Sequence, residues 1–214
     1  NKYYKIGSCK HADVSTFSLH PVKSITTGEG GIVTTNKKEI HEKIISYRSH
    51  GIKRDKNKHW EYDIVNPGYN FRLSDINCSL GLSQLKKLNK FLRKRRLIAN
   101  RYNNLLKDLN HISIPKVRKN INSSWHLYLL LIDFKKLKKR KVDFFNYFKK
   151  RNIRLQQHYM PINKYSFFKK KISGKYENSS EYFKRTVSLP IHYNCTNKDI
   201  ISVANKIKKF FKTN

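Results

Sequence analysis

One charge-poor stretch near the start of the chain constrains its fold more than any other feature. In a protein with 47 Lys and Arg residues, Lys23 is the only formally charged side chain between Asp13 and Glu29. Two β-favouring runs, 14–19 and 31–35, flank it, and proline and glycine residues supply the bends between them. The pattern predicts two strands joined by a bend that carries a single lysine.

The surroundings of Lys23 favour a reactive amine. Apolar and hydroxyl side chains hydrate an ammonium group poorly, so the neutral, nucleophilic form becomes accessible at about pH 7. A lysine of this kind can form a Schiff base with a carbonyl compound. On the residues alone an alternative stays open, in which the lysine lies at a hairpin bend and extends its ammonium into water.

Several segments follow one another in the order of motifs of a known enzyme family. They are Ser18 with Lys23 and residues 28–31, then 68–75, 81–85, 123–128, 157–161 and 188–190. In these segments, over essentially its whole length, the chain resembles the DegT/DnrJ/EryC1/StrS family of sugar aminotransferases. The residues of these segments are most similar to those of the branch of that family that acts in pseudaminic acid biosynthesis.

The resemblance implies a fold and a division of the chain. We expect the aspartate-aminotransferase-like α/β fold (fold type I), with the end of the large domain followed by an α+β C-terminal small domain. Residues 1–74 would be the C-terminal part of the large cofactor-binding domain, 75–109 an interdomain helix and 110–214 the small domain. Because the chain opens with Asn1 almost directly into the lysine segment, we expect a fragment of a larger protein.

The resemblance also implies the cofactor pyridoxal 5′-phosphate (PLP). Lys23 matches the family's Schiff-base lysine, which also moves the substrate proton, and Ser18 matches its phosphate-binding serine. Asn70 matches an asparagine that reaches the phosphate of the neighbouring subunit, which implies a homodimer with shared active sites. The aspartate that pairs with the pyridine nitrogen lies upstream of the lysine in the family. Asp13 does not match that motif, so we expect the 214 residues alone to be inactive.

A third implication concerns the substrate. Gln157, His158 and Tyr159 match a segment that contacts the sugar nucleotide in relatives, and His126 and Arg72 are further candidates. On the residues alone, a hydrogen-bonded structural residue is the commoner role for side chains of these types. The implied reaction, in nucleotide-sugar and surface polysaccharide biosynthesis, moves an amino group from an amino acid, expected to be L-glutamate, to the 4-keto group of a UDP-linked deoxy-sugar. Another sugar or ring position stays open.

The formal net charge of +33 raises a competing interpretation. Such an excess ordinarily indicates nucleic acid or an anionic membrane as the partner. Most of it is lysine, whereas arginine is the residue that reads bases and grips phosphates bidentately. We therefore expect solvated faces, including the basic run 93–96, and no specific nucleic acid. The alternative is a basic nucleic-acid-binding or non-catalytic scaffold protein, whose binding would depend steeply on salt.

Cysteine spacing and hydropathy limit the location. Cys9, Cys78 and Cys195 lie far apart without a Cys-x-x-Cys pair, which predicts reduced thiols in the cytoplasm and no metal site. The longest apolar run, 127–132, is too short to span a bilayer, so we expect no membrane partner.

Hydrophobic periodicity predicts the secondary structure. The predicted elements are helices at 37–50, 75–109, 141–151 and 178–186, strands at 127–132 and 153–158, and a loop at 50–67. Ser74 is expected to cap the second helix, in which Gly81 and the run 93–96 mark places for a bend or an exposed turn. A last helix is expected to start at Thr196, paired with Asp199 as in a capping box.

Overall fold

The structure is a computed structural model that describes residues 3–58 and 60–212. The chain divides into two compact units, the first ending at Asn89 and the second beginning at Lys90. This boundary falls inside the longest helix, and each unit is built differently.

Two short hairpins and two helical segments make up the first unit. Its elements are β1 (Ser15–Ser18), β2 (Gly31–Thr34), α1 (Lys38–Arg48), β3 (Ile52–Arg54), β4 (Tyr62–Ile64) and the first part of α2 (Asp75–Leu106). The strands pair antiparallel, β1 with β2 and β3 with β4. The strand–bend–strand prediction around the lysine is therefore confirmed.

The β3–β4 hairpin lies within residues 50–67, where the sequence predicted a loop. That prediction is wrong because each strand has only three residues, too few to show a periodic pattern. Cross-strand pairs stabilise the hairpin instead: Lys53 lies opposite Asp63, and Ile52 opposite Ile64.

Helix α2 begins as the sequence predicted and is one continuous helix from Asp75 to Leu106. The backbone N–H of Asn77 donates to Oγ of Ser74 (3.3 Å), which confirms the N-cap. Gly81 lies within the helix, so no turn interrupts α2 there. A Cβ atom at this position would lie 2.8 Å from the side chain of Thr27, so the glycine permits a close approach.

The second unit is an α+β structure around a three-stranded antiparallel sheet of order β5-β6-β7. Its elements after α2 are β5 (Ile112–Ser113), β6 (Tyr128–Ile132), α3 (Lys141–Lys149), a 3-10 helix (Ile162–Lys164), α4 (Ser166–Lys169), α5 (Glu177–Arg185), β7 (Thr186–Leu189) and α6 (Asn197–Lys212). The predicted strand at 127–132 and the predicted helices in this unit are confirmed.

The predicted strand at 153–158 is not formed. This segment pairs with β7 at Gln156 alone, through an isolated antiparallel bridge to Ser188. In that register residue 154 would face Pro190, which has no N–H to continue the ladder.

A contiguous hydrophobic core fills the second unit. Alternate residues of β6 (Tyr128, Leu130 and Ile132) are fully buried, and Phe144 and Phe148 of α3 pack in the same core. The predicted capping box of α6 is confirmed. The N–H of Thr196 donates to Oδ2 of Asp199 (2.8 Å), and the N–H of Asp199 donates back to Oγ1 of Thr196 (3.2 Å).

The sequence also led to expectations about metal sites, membrane spans and cysteine pairing. Across residues 3–58 and 60–212, no cluster of three or more His, Cys, Asp or Glu side chains could hold a metal ion. Within the same ranges no helix combines the length and apolarity that a membrane span requires. Cys9, Cys78 and Cys195 are free thiols.

Candidate functional site

Lys23 lies in the loop of residues 19–30 that joins β1 to β2, called here the lysine loop. Backbone hydrogen bonds close this loop: the N–H of Leu19 donates to the carbonyl of Gly30 (2.9 Å), and the N–H of Thr27 donates to the carbonyl of Leu19 (3.1 Å). The N–H of Lys23 donates to the carbonyl of His20 (2.9 Å). The lysine therefore sits on a tight turn whose ends are fixed by the β1–β2 pairing.

Ser18 ends β1 and borders the lysine loop. Its Oγ accepts a hydrogen bond from the N–H of His20 (3.3 Å), which uses a lone pair and leaves the hydroxyl hydrogen for another acceptor. Lys23 is half-buried, and its amine makes no hydrogen bond or ion pair within the part of the chain that the structure describes. A hydroxyl donor and a lysine amine on one hairpin are groups that PLP requires for its phosphate and its aldehyde. The donor set therefore fits PLP.

Thr27 anchors the lysine loop to the start of α2. Its side chain is buried, its hydroxyl donates to the carbonyl of Glu29 (2.6 Å), and its own carbonyl accepts from the side-chain amide of Asn77. Gly30 has a φ of +146°, and a Cβ atom there would lie 2.6 Å from Oγ1 of Thr27. Only glycine fits this position, which makes the geometry of the loop specific.

The segment with Asn70 and Arg72 lies beside the end of α1. Asn70 forms an isolated bridge with Ser49, and the N–H of Phe71 donates to the carbonyl of Arg48 (3.0 Å). The side chains of Asn70 and Arg72 are exposed. No hydrogen bond or ion pair between described residues joins either of them to the lysine loop, and the reach of Asn70 into a neighbouring subunit stays a prediction.

The segment Gln157, His158 and Tyr159 is held by its side chains. The side-chain amide of Gln157 donates to the carbonyl of Phe183, and Nδ1 of His158 lies 2.6 Å from Oγ of Ser188. The ring of Tyr159 meets the ring of His158 edge-on, with 4.6 Å between centroids, and 63% of Tyr159 is exposed. These residues are therefore fixed from inside and open to solvent at Tyr159.

A lysine shares the acceptor that holds Gln157. Nζ of Lys141, at the start of α3, also donates to the carbonyl of Phe183 (2.6 Å) and lies 5.3 Å from the centroid of the Phe183 ring. Because Lys141 is partly removed from water, its pKa falls from 10.5 to about 8. Nothing in the sequence pattern distinguishes this lysine from the others.

His126 lies in a segment that an arginine of α2 holds in place. Nη1 of Arg95 donates to the carbonyls of Trp125 (3.2 Å), His126 (3.1 Å) and Ile191 (2.8 Å). Arg95 is 7% exposed, and burial lowers the pKa of its guanidinium. The predicted solvated face at 93–96 is therefore wrong at Arg95.

The signal for a buried Arg95 was present in the sequence. Arg95 precedes Ile98 and Ala99 by three and four residues, which places it on the same face of α2 as these buried side chains and Tyr102. Interpreted as part of a run of like charges, Arg95 is expected to be exposed to solvent. Interpreted as a member of the apolar face of α2, Arg95 is expected to be buried.

A family model for the DegT/DnrJ/EryC1/StrS aminotransferase family matches residues 3–208. The chain is 40% identical over 216 residues to the UDP-4-amino-4,6-dideoxy-N-acetyl-beta-L-altrosamine transaminase of Campylobacter jejuni, covering 97% of this chain and 56% of that protein. The chain therefore belongs to the DegT/DnrJ/EryC1/StrS aminotransferase family. It spans about half the length of the curated relatives it matches.

Solved structures agree with this membership. Helicobacter pylori PseC, an aminotransferase involved in the biosynthesis of pseudoaminic acid, superposes with a TM-score of 0.87 at 34% identity over 94% of this chain and 54% of that one. Spr1654 from Streptococcus pneumoniae, solved in a PLP form, gives a TM-score of 0.86 at 27% identity over 96% of this chain and 53% of that one. The predicted aminotransferase fold is confirmed.

Proposed function

We propose that the protein carrying this chain is a cytoplasmic, PLP-dependent aminotransferase that converts the 4-keto group of a UDP-linked deoxy-sugar to an amine. L-glutamate is the proposed donor, and surface polysaccharide biosynthesis is the proposed context. The observation that carries the proposal is the β1–β2 hairpin, which presents the Lys23 amine and the Ser18 hydroxyl together in a chain of this family. The relatives named above support the choice of substrate class.

The proposed roles follow from the chemistry of each side chain. Bound PLP supplies an electron sink for the bonds at the donor's α-carbon. Lys23 would hold the cofactor covalently, and its amine, when free of the cofactor, would carry the substrate proton. The hydroxyl of Ser18 would donate to the phosphate and position the cofactor relative to the lysine.

The substrate side of the proposal uses the second unit. Gln157, His158 and Tyr159 would contact the sugar nucleotide, with His126 and Arg72 as further contacts. Asn70 would bind the phosphate of the cofactor held by a second copy of the chain. A homodimer is part of this proposal. Each active site would then combine Lys23 of one subunit with Asn70 of the other.

An absorbance experiment tests the cofactor and its lysine. The full-length protein with PLP should show a band at roughly 410–430 nm, and borohydride should fix the cofactor to the peptide that carries Lys23. Lys23→Ala should lose both signals. Lys38→Ala, at a well-exposed lysine of α1, is the matched control and should keep both. Loss of the band in the control as well, or its survival in Lys23→Ala, would contradict the role of Lys23.

A second experiment tests the shared site. Asn70→Ala should weaken PLP binding without changing the reduction of cofactor already bound to Lys23. Mixing Asn70→Ala with Lys23→Ala subunits should restore part of the aminotransferase activity, because one site of the mixed dimer has both residues. Failure of the mixture to recover any activity would refute the shared site. Salt-dependent binding of DNA or RNA by a protein that does not bind PLP would favour the basic-binder alternative.

A further inference from the structure

Ser188 contacts the candidate substrate segment in two independent ways. It lies on the buried strand β7 and is 5% exposed. Its backbone pairs with Gln156: the N–H of Ser188 donates to the carbonyl of Gln156 (2.8 Å), and the N–H of Gln156 donates back at 3.4 Å. Its side chain reaches two residues further, where Oγ lies 2.6 Å from Nδ1 of His158.

The strand itself is rigidly placed. On its other edge β7 pairs with β6, where Ser188 lies opposite Leu129. Ser188 is therefore held by the sheet on one side and holds residues 156–158 on the other. A hydroxyl on such a frame has little freedom to move away from the imidazole.

The hydrogen bond has a preferred direction. A serine hydroxyl has one hydrogen and two lone pairs, and an unused O–H in a buried site costs more than an unused lone pair. We therefore expect the hydroxyl to donate to Nδ1 of a neutral imidazole. Such a bond would leave the ring proton on Nε2 and would fix both the tautomer and the rotation of the ring.

The effect extends to Tyr159. Its exposed ring packs edge-on against the imidazole of His158, with 4.6 Å between centroids. A ring that is held by Ser188 therefore supports the aromatic side chain that faces solvent. Nothing in the sequence motifs assigned a role to Ser188.

We propose that Ser188 is a positioning residue, which orients His158 in its Nε2–H form and through it presents Tyr159 to the sugar nucleotide. The link to substrate rests on the proposed function, whereas the orientation of His158 does not. The two parts can therefore be tested separately.

Nitrogen NMR of the full-length protein with labelled histidine tests the orientation. His158→Gln identifies the His158 signal, which should show the Nε2–H tautomer in the wild type. Ser188→Ala should shift the signal toward a mixture of tautomers, and Ser188→Thr, which keeps the hydroxyl, should restore it. Thr186→Val is the matched control, because it removes a buried hydroxyl of the same strand that has no hydrogen-bond partner among the described residues. It should leave the His158 signal unchanged.

Kinetics test the link to substrate. Ser188→Ala should raise KM for the sugar nucleotide roughly tenfold, about the effect of losing one hydrogen bond, and leave KM for the amino donor unchanged. An unchanged tautomer in Ser188→Ala, or an Nδ1–H tautomer in the wild type, would overturn the positioning role. A shifted tautomer with an unchanged sugar-nucleotide KM would overturn the link to substrate. A wild-type protein without aminotransferase activity would refute the proposed function, and the NMR comparison would still decide the role of Ser188.

Discussion

The two units of the chain differ in how far they bury their hydrophobic side chains. In the second unit, twenty hydrophobic residues form one buried core. In the first unit, Leu19 is the one buried hydrophobic side chain among the described residues, while eighteen large hydrophobic side chains are exposed. The second unit has the hydrophobic core of a domain, whereas the first unit leaves most of its large hydrophobic side chains exposed to solvent.

This difference fits the proposed division of work. The lysine loop is fixed by backbone hydrogen bonds and by Thr27, with little hydrophobic burial of its own. The substrate segment at Gln157 is anchored on strands and helices that pack a core. In the proposed homodimer, a second copy of the chain would cover part of the exposed surface of the first unit.

The largest expected effect compares one phenylalanine from each unit. Phe148 is fully buried against Phe144, and Phe148→Ala should lower the free energy of unfolding by about 3–5 kcal/mol. Phe71 is 69% exposed, and Phe71→Ala should change it by less than about 0.5 kcal/mol. Urea unfolding of the 214-residue chain, followed by circular dichroism, measures both. Equal effects would mean that the first unit has a core of its own.

The next effect concerns a buried charge in the second unit. Arg95→Leu removes the donor to three carbonyls and should cost about 2–4 kcal/mol. Arg93→Leu, at an exposed position of the same helix, is the matched control and should change stability by less than about 0.5 kcal/mol. If both variants unfold at the same urea concentration, Arg95 is only a member of a solvated charge run.

Sequence reasoning succeeded where a local pattern determined the structure. Ser74 and the pair Thr196 and Asp199 carry their own cap donors and acceptors within a few residues, so their roles could be read directly. The lysine segment was equally readable, because a strand, a bend and a second strand are neighbours in sequence. The aminotransferase fold followed from motifs spread over the chain rather than from any physical pattern.

Sequence reasoning failed where residues distant in the chain determine the surroundings of a side chain. The burial of Arg95 depends on carbonyls as far along the chain as Ile191, and the contact of Ser188 with His158 joins residues thirty apart. The β3–β4 hairpin depends on pairs such as Lys53 with Asp63 across a loop. The partners of Arg95 and of Ser188 lie too far apart in sequence for a local pattern to pair them, and the three-residue strands of the hairpin are too short to show a period.

A moderate effect compares the helix caps of the two units. Thr196→Ala removes the cap of α6 and should lower the free energy of unfolding by about 1 kcal/mol. Helix α1 starts after Lys37 without a side-chain cap, so Lys37→Ala should shift the urea midpoint less. A larger shift for Lys37→Ala would show that the contrast between the units does not extend to their helix ends.

The cap also predicts an acid response. Hydrogen bonds from Thr196 lower the pKa of Asp199 below its usual 3.8. A carboxyl whose pKa is lower in the folded state stabilises the fold above its ordinary pKa, and this contribution is lost as the pH falls through the folded value. The stability difference between the wild type and Thr196→Ala should therefore shrink below about pH 4. A constant difference down to pH 2 would show that Asp199 does not take part.

The smallest expected effect compares two lysines whose pKa values move in opposite directions. In the first unit, exposed Lys37 bonds to Asp13 (2.7 Å), which raises the pKa of its ammonium. In the second unit, partial burial lowers the pKa of Lys141 to about 8. Between pH 8 and 10.5 the unfolded chain then keeps a proton on Lys141 that the folded chain has released, so Lys141 makes stability rise with pH in that window.

Lys141→Met should remove this part of the pH dependence, because methionine keeps an apolar chain of similar length without a charge. Urea midpoints at about pH 7 and about pH 10 measure the rise, which should be smaller in the variant than in the wild type. Lys149→Met, at an exposed position in the last turn of the same helix, is the matched control and should keep the wild-type rise. The effect is small because the ammonium is only half-buried and its bond to the carbonyl of Phe183 offsets part of the lost hydration. An equal rise in all three proteins would mean that Lys141 is as well hydrated as the exposed lysines. The two units would then differ in the burial of their hydrophobic side chains but not of their lysines.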